Sequence, residues 1–390
     1  MYKFPHLRLP IKGAYFLVVL SFLISLASAF VSPVFPLYIK SLVNNEAKVG
    51  FVVSIVAFLL LLSNFVVSKY LDLYKKKSLL IIGLIGCIIT IILMGFVKVL
   101  YIFFILEIFR SFFLISVYIT LALYIKDYSP VGSIGSIQGM HFAFANIAWL
   151  VGPLIGGLVA EKYTIGSIFI ISSVFLFGAL LLLLINPLKE EYLRINNNNH
   201  TFKNIKNFFK SKDLTLIYLS SIGLMMWWVM IYTFTPLFIK DVGLSTRVIG
   251  YVLFAVAIPL IILEIPLGRL ADKTGFKKYF FLGFIIMGVS AILTYFFSIN
   301  LALLFIILAS IGAAFLEPLR EAYLFRKLKH SQLKYEYPVY RTAVDIGQIL
   351  GPVIFSTVLL YTNFRFLYLF AGILMLLFGF VMLGLKDIRK

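Results

Sequence analysis

The sequence has few charged residues and almost no cysteine. Only 13% of its 390 residues are charged, whereas a soluble globular chain has about 25%. The single cysteine, Cys87, excludes a disulfide framework and any site built on paired cysteines. The HExxH pair of metalloproteases and the glycine-rich loops that bind nucleotide phosphates are also missing from the sequence. We therefore expect no metal site, no cofactor and no enzymatic activity. An unusually apolar chain remains, with 62% hydrophobic residues.

Twelve apolar runs of membrane-spanning length divide this chain. Because backbone groups inside a bilayer must form hydrogen bonds within their own segment, we expect every run to be a helix. Two sets of six helices, within residues 1–187 and 213–390, flank a polar linker over residues 188–212. The sequence thus predicts an all-α integral membrane protein made of two six-helix bundles. The runs cover residues 13–39, 49–70, 78–97, 99–125, 134–160, 165–187, 213–239, 248–271, 278–298, 300–325, 337–361 and 364–385.

Lysine and arginine are distributed unevenly between the connecting segments. If both termini lie in the cytoplasm, 25 of these residues fall in cytoplasmic segments and 7 in outer ones. Because basic residues concentrate in the cytoplasmic loops of membrane proteins, we predict this orientation. The same rule accounts for the net charge of +19, which in a soluble protein would suggest nucleic acid. We expect a monomer in the plasma membrane whose partners are lipid and a small-molecule substrate, and no nucleic acid.

Short stretches recur about 200 residues apart, as in PLYIK at 36–40 and PLFIK at 236–240. Asp72 and Asp272 lie at the same separation, each between the second and third runs of its set. Several matches in register indicate a duplicated chain whose halves are related by a pseudo-two-fold axis along the membrane normal. The further matching pairs are Val49-Gly50 with Ile249-Gly250, and Gly152-Pro153 with Gly351-Pro352.

The stretch GRLADKTGFKK joins two spans of the second set, and SKYLDLYKKK is its weaker first-half copy. A tight turn between antiparallel helices needs glycine. Asp272 is able to accept hydrogen bonds from the amides that begin the next helix and to pair with a nearby arginine or lysine. We interpret this pairing as an ion pair that holds a cytoplasmic gate shut; the alternative is a basic loop that sets topology, with Asp272 as a structural cap. The residues concerned are Gly268, Asp272, Lys273, Gly275, Lys277, Lys278 and, in the first half, Asp72.

This loop resembles that of the major facilitator superfamily of secondary transporters, and the resemblance covers the whole chain. The first-half copy departs from the family pattern at Ser68, Leu73 and Lys75. The resemblance implies transport by alternating access, and it places Arg110 where many members have a buried arginine.

The fifth run contains GPLIGG, which resembles a motif common among the exporters of that family. Small residues four positions apart also let two helices approach closely, so simple packing is the alternative interpretation. The motif residues are Gly152, Pro153, Gly156 and Gly157.

Several charged residues lie inside the apolar runs, where a charge normally faces a partner or a cavity. Glu264 has no cation within one helical turn, and desolvation favours the neutral form of a carboxyl. We therefore predict that Glu264 carries the coupling proton; a salt bridge to another helix is the alternative. Glu107 and Arg110 are spaced to pair on one helix face, either bracing the bundle or presenting Arg110 to an anionic substrate or a protonatable acid. A second-half network is expected from Glu317, Arg320, Glu321, Arg341 and Asp345.

These features favour a secondary transporter over a polytopic enzyme or scramblase, because no cluster of catalytic residues is present. We expect proton-coupled export of a drug-like or amphipathic metabolite. The alternative is a proton-coupled symporter or exporter of sugars or related polar solutes, and a sodium gradient also remains open.

Overall fold

The computed structural model describes residues 12–70, 75–128, 134–186, 188, 201–328 and 330–388. Helices account for the regular structure of these residues, which include no strand. The helices are α1 Lys12–Val31, α2 Phe35–Val43, α3 Glu46–Tyr70, α4 Lys76–Met94, α5 Leu100–Tyr128, α6 Ile134–Lys162, α7 Ile165–Ile185, α8 Thr201–Phe209, α9 Lys212–Val229, α10 Thr235–Asp241, α11 Thr246–Thr274, α12 Lys277–Phe296, α13 Ile299–Lys327, α14 His330–Tyr361 and α15 Phe364–Met382. A π-helical turn, Met230–Phe234, connects α9 to α10.

Within these residues, 11 helical segments are long and apolar enough to cross a membrane. The bent pair of α1 and α2 makes a twelfth if it is counted as one span. The segment Lys212–Asp241, which contains α9, the π-turn and α10, forms a single span. The predicted all-α membrane fold is therefore confirmed, with the spans in the predicted order. Sequence reasoning missed α8, which lies inside the polar linker.

The chain divides into two compact units. Unit 1 comprises Met1–Ser32 and Leu59–Ile195, and unit 2 comprises Pro33–Phe58 and Asn196–Lys390. The boundary between the units therefore does not coincide with the boundary between the repeated halves. Residues 33–58 are part of the first half of the sequence but belong to unit 2.

The core of unit 1 is built from the apolar faces of five helices, α1, α4, α5, α6 and α7. In this unit α1 packs against α6 and α7, and α4 packs against α5 and α7. Buried side chains from α1, α4, α5 and α7 meet at Leu20, Leu84, Val117 and Leu176. This packing holds α5, which carries Glu107 and Arg110, against its neighbours.

Unit 2 depends on close contacts between glycine-bearing helices. Here α12 packs against α13 and α15, α9 against α14, and α11 against α13. A Cβ atom on Gly312 of α13 would lie 2.3 Å from the carbonyl oxygen of Gly283 on α12. Small residues allow such approach, and inside lipid the resulting van der Waals contact is a main source of helix association.

Proline interrupts the first span of each half at matching positions. Pro36 lies in the first turn of α2, and the chain bends by 45° between α1 and α2. Pro236 lies in the first turn of α10, directly after the π-turn. A proline ring clashes with the carbonyl four residues earlier and removes one backbone donor, so the helix must break or widen there. In the first half, the first span breaks between α1 and α2. In the second half, the corresponding span stays continuous and widens into the π-helical turn before Pro236.

Candidate functional site

Two carboxyl groups of unit 2 interact electrostatically across neighbouring helices. Glu264 of α11 is half-buried and has no hydrogen-bond or ion-pair partner among the described residues, and the charge of Glu317 on α13 acts on it. Glu317 accepts a hydrogen bond from the Arg320 guanidinium at 2.8 Å and one from the Trp228 indole at 3.4 Å. Glu317 thus has a counter-ion and Glu264 has none within the part of the chain that the structure describes.

Arg320 is almost fully buried, at 7% exposure. One of its nitrogens binds Glu317, while Nε and the other terminal nitrogen have no acceptor in the described part of the chain. A buried donor without an acceptor costs about 1–3 kcal/mol or more when charged. Arg320 therefore has donors left for a further polar group.

The expected network in unit 2 consists of separate ion pairs. The Arg341 guanidinium lies 3.9 Å from the Glu321 carboxylate, which also accepts a hydrogen bond from the Tyr337 hydroxyl at 3.4 Å. The expectation that Arg341 pairs with Asp345 is not met, and Asp345 is half-buried with no ion pair to any described residue. Side chains on a helix lean towards its N-terminus, which directs Arg341 away from Asp345 and towards Tyr337 and Glu321.

The predicted Glu107–Arg110 pair is formed in α5 of unit 1. A terminal guanidinium nitrogen lies 2.8 Å from Glu107 Oε2, and Arg110 Nε lies 2.9 Å from Oε1. Glu107 is fully buried, and the Arg110 side chain is 16% exposed. Removing one partner of a buried ion pair leaves an uncompensated charge, so the two residues act as a unit. The geometry favours the bracing interpretation.

The loop between α11 and α12 is shaped by Gly275 and by the end of the chain. Gly275 has φ 96°, a conformation that favours glycine. A Cβ atom there would also lie 2.3 Å from the Asp387 carboxylate, which accepts a hydrogen bond from the Lys277 amide at 3.2 Å. Gly268, by contrast, lies inside α11, and a Cβ atom added to it would meet no described atom within 4 Å. The turn therefore does not require a glycine at position 268.

Asp272 forms an ion pair with Arg326 at the end of α13, with a distance of 2.7 Å. The Arg326 guanidinium also lies over the Phe276 ring, 5.1 Å from its centroid. The expectation that Asp272 caps the following helix is wrong, because Asp272 lies in the last turns of α11 and Asp387 accepts from the α12 amide instead.

The basic residues of this loop have different surroundings. Lys273 is exposed, Lys277 is half-buried, and the Lys278 ammonium lies 4.9 Å from the Tyr279 ring centroid. Asp72, in the first-half copy, lies outside the described residues.

A second ion pair at the same end of unit 2 was missed by sequence reasoning. Asp213, at the start of α9, binds the Lys327 ammonium at 2.6 Å and accepts from the Lys386 amide at 3.0 Å. Tyr323 donates to the Lys386 carbonyl at 2.8 Å. The residues that follow α15 are thereby fixed to α9, α13 and the α11–α12 loop. We call this region the basic end of unit 2.

The fifth-run motif lies in α6 of unit 1, where it contacts α1. A Cβ atom on Gly152 would lie 2.6 Å from the Ala29 Cβ atom and 3.1 Å from the Phe30 amide nitrogen. The helix continues through Pro153, and Gly156 and Gly157 are buried. Close helix packing, the alternative interpretation of this motif, is therefore present at Gly152.

A polar cavity of about 420 Å³ lies at the opposite end of unit 2. Lys40 on α2 binds Glu46 at the start of α3, and both act electrostatically on Asp241 at the end of α10. Asn45 and Asn363 also line the cavity. These residues lie between the apolar runs, so reasoning from the charges inside those runs missed them.

Comparison with known proteins agrees with this architecture. The family model described as Major Facilitator Superfamily matches residues 17–258 and, in a second match, 216–389. An uncharacterized MFS-type transporter of Methanocaldococcus jannaschii is 22% identical over 381 residues, covering 95% of this chain and 97% of that protein. Multidrug resistance protein 2 of Bacillus subtilis is 23% identical over 394 residues, covering 96% and 95%. Among solved structures, a mutant of the peptide transporter POT in complex with sulfate has a TM-score of 0.78 at 13% identity, covering 96% and 94%.

Proposed function

Because the chain belongs to the Major Facilitator Superfamily, we propose that it is a proton-coupled secondary transporter that exports drug-like or amphipathic metabolites by alternating access. The proton gradient drives the cycle, and no cofactor takes part. Both termini lie in the cytoplasm, and the chain works as a monomer in the plasma membrane.

The observation that carries the proposal is the position of Glu264. A coupling carboxyl must gain and lose a proton during the cycle, so a permanent counter-ion would hinder it. Glu264 lies within a membrane span and has no ion-pair partner among the described residues. The neighbouring acid, Glu317, is bound to Arg320 and therefore already has a permanent counter-ion.

Export and an amphipathic cargo are supported by relatives of the chain. One of them is named a multidrug resistance protein, and the chain covers nearly all of its length. The chain also contains 40 phenylalanines, whose rings suit apolar or aromatic cargo.

The test uses the purified full-length chain in proteoliposomes with labelled candidate compounds. An imposed pH gradient is expected to drive transport, and dissipating that gradient is expected to stop it. The Glu264→Gln variant mimics the protonated carboxyl and should lose gradient-driven transport. Counterflow, which needs no net proton movement, should survive in this variant.

Asp345→Asn tests the competing carboxyl, because Asp345 is also half-buried and lacks an ion pair with any described residue; this variant is expected to keep gradient-driven transport. If Asp345→Asn loses gradient-driven transport while Glu264→Gln keeps it, the coupling carboxyl lies on α14. If a sodium gradient drives transport without a pH gradient, proton coupling is wrong and the transporter assignment stands.

A second candidate function is the transport of polar solutes, in either direction. Unit 2 contains buried and half-buried charges, including Arg320 with donors that have no acceptor among the described residues. Such donors suit a polar or anionic solute. Transport of a sugar or similar solute by the wild-type chain, with no transport of amphipathic compounds, would favour this candidate.

A further inference from the structure

The short helix α8 carries exposed apolar and basic side chains on adjacent faces. Ile205 and Phe209 are four residues apart and are 38% and 42% exposed. Lys206 and Lys210, which directly follows the last residue of α8, are also four residues apart and are exposed as well. Residues at this spacing lie above one another on a helix, so an apolar strip runs beside a basic strip.

Unit 2 holds α8 in place through a third face. The Phe208 side chain is fully buried, and its ring lies 5.9 Å from the Tyr218 ring on α9. The helix also packs against α14. The Phe209 ring also contacts Tyr218, with centroids 5.1 Å apart. Phe208 and one side of Phe209 therefore hold α8 against α9, while Ile205 and the other side of Phe209 remain exposed.

The position of α8 relative to the bilayer follows from the chain itself. The span Lys212–Asp241 begins three residues after Phe209. With nine residues, α8 is too short to cross a membrane. Three residues reach at most about 11 Å, so the end of α8 stays close to the start of this span.

The exposed charged residues around the start of α9 are basic. Lys206, Lys210 and Lys212 are exposed and form no ion pair with another described residue. At the basic end of unit 2, Arg269 and Lys273 are also exposed. Unpaired lysines beside an apolar strip are typical of helices that bind the surface of anionic membranes.

We propose that α8 is an interfacial helix that binds anionic phospholipid. In this arrangement Ile205 and Phe209 enter the boundary of the acyl chains, and Lys206, Lys210 and Lys212 contact the phosphate-bearing headgroups. The occupant is the membrane surface itself, and a soluble anion is not expected to replace it because it offers no apolar layer.

The experiment places an environment-sensitive fluorophore at Ile205→Cys in the full-length Cys87→Ala chain. The protein is studied in nanodiscs of phosphatidylcholine containing increasing fractions of phosphatidylglycerol. We expect the emission to shift to shorter wavelength as phosphatidylglycerol increases, and high salt to reverse the shift. In Lys206→Gln/Lys210→Gln/Lys212→Gln, the apparent lipid affinity should fall by about fivefold for each lysine removed.

A matched control removes the same charge elsewhere. Lys48, Lys98 and Lys162 are exposed residues at the other ends of their spans, and their triple glutamine variant should keep the full shift. Equal emission in both lipids, or an unchanged response in the α8 variant, would overturn the proposal. A shift produced by inorganic phosphate alone would also overturn it, since it would indicate a site for a soluble anion.

Discussion

At the level of single residues, the two glycines of the α11–α12 motif have different structural roles. Gly275 has a left-handed backbone and faces the Asp387 carboxylate, whereas Gly268 lies in a regular helix with open space around it. Only Gly275 is therefore required by geometry. The motif was recognised from both glycines, but the backbone gives them unequal importance.

Gly275→Ala should destabilise the protein by about 1–3 kcal/mol, because alanine is strained at this backbone conformation. Gly268→Ala is the control, and it should leave stability unchanged or raise it by up to about 1 kcal/mol, since alanine favours helix. Thermal unfolding of both purified variants checks this. Equal losses in the two variants would mean that the conformation of Gly275 is not what the loop depends on.

The Asp272–Arg326 pair is open to solvent, with side-chain exposures of 44% and 24%. An ion pair of this kind contributes about 0.2–1 kcal/mol to stability. Asp272→Asn should therefore express and unfold nearly as the wild type does. If the pair controls a gate, this variant should lose most transport and still bind substrate.

Arg326→Gln should reproduce that loss, and the exchanged pair Asp272→Arg/Arg326→Asp should restore part of the transport. Wild-type rates in Asp272→Asn would show that the pair only braces α11 against α13. Initial rates in proteoliposomes, compared with binding to the detergent-purified variants, separate these outcomes.

At the level of helices, the spans were predictable and the contacts between them were not. A membrane span is recognised in the sequence by the length of its apolar run. For α12 the run predicted residues 278–298, and the helix is found at Lys277–Phe296. The Glu107–Arg110 pair was predictable because both residues lie on one helix. The Asp213–Lys327 and Asp272–Arg326 pairs join distant helices, and no local spacing encodes them. The π-turn and α8 were missed because five and nine residues give too little periodicity.

The helix contacts at the repeated Gly-Pro motif differ between the units. A Cβ atom on Gly152 would lie 2.6 Å from the Ala29 Cβ atom, whereas one on Gly351 would lie 3.2 Å from the Met226 Cα atom. Gly152→Ala should therefore cost about 1–3 kcal/mol through overpacking, and Gly351→Ala should cost less. Thermal unfolding measures both losses.

Because the clash involves the Ala29 methyl group, Ala29→Gly should rescue Gly152→Ala. It should have no such effect on Gly351→Ala, since Met226 belongs to another pair of helices. Failure of the rescue would indicate that the backbone of α1 limits the approach of α6, through the Ala29 carbonyl carbon at 3.0 Å and the Phe30 amide nitrogen at 3.1 Å.

At the level of the whole molecule, the distribution of basic residues predicts how the chain lies in the membrane. In a Cys87→Ala background, Asn207→Cys near the end of α8 should react with an impermeant thiol reagent only from the cytoplasmic side. Lys48→Cys should react only from outside. Both positions are exposed, so accessibility within the protein does not bias the comparison. Labelling in the reverse sense would overturn the orientation and the assignment of every loop.

The paired prolines have a consequence for the history of the chain. The PLYIK segment of α2 and the PLFIK segment of α10 occupy equivalent positions in the two halves. Within unit 2, α2 and α10 pack against each other. A contact between equivalent surfaces is the self-complementary kind that joins two identical subunits. The half-length ancestor that was duplicated would thus have met a second copy of itself at this same proline-marked segment. Fusion of the two copies would make this contact independent of the concentration of free subunits.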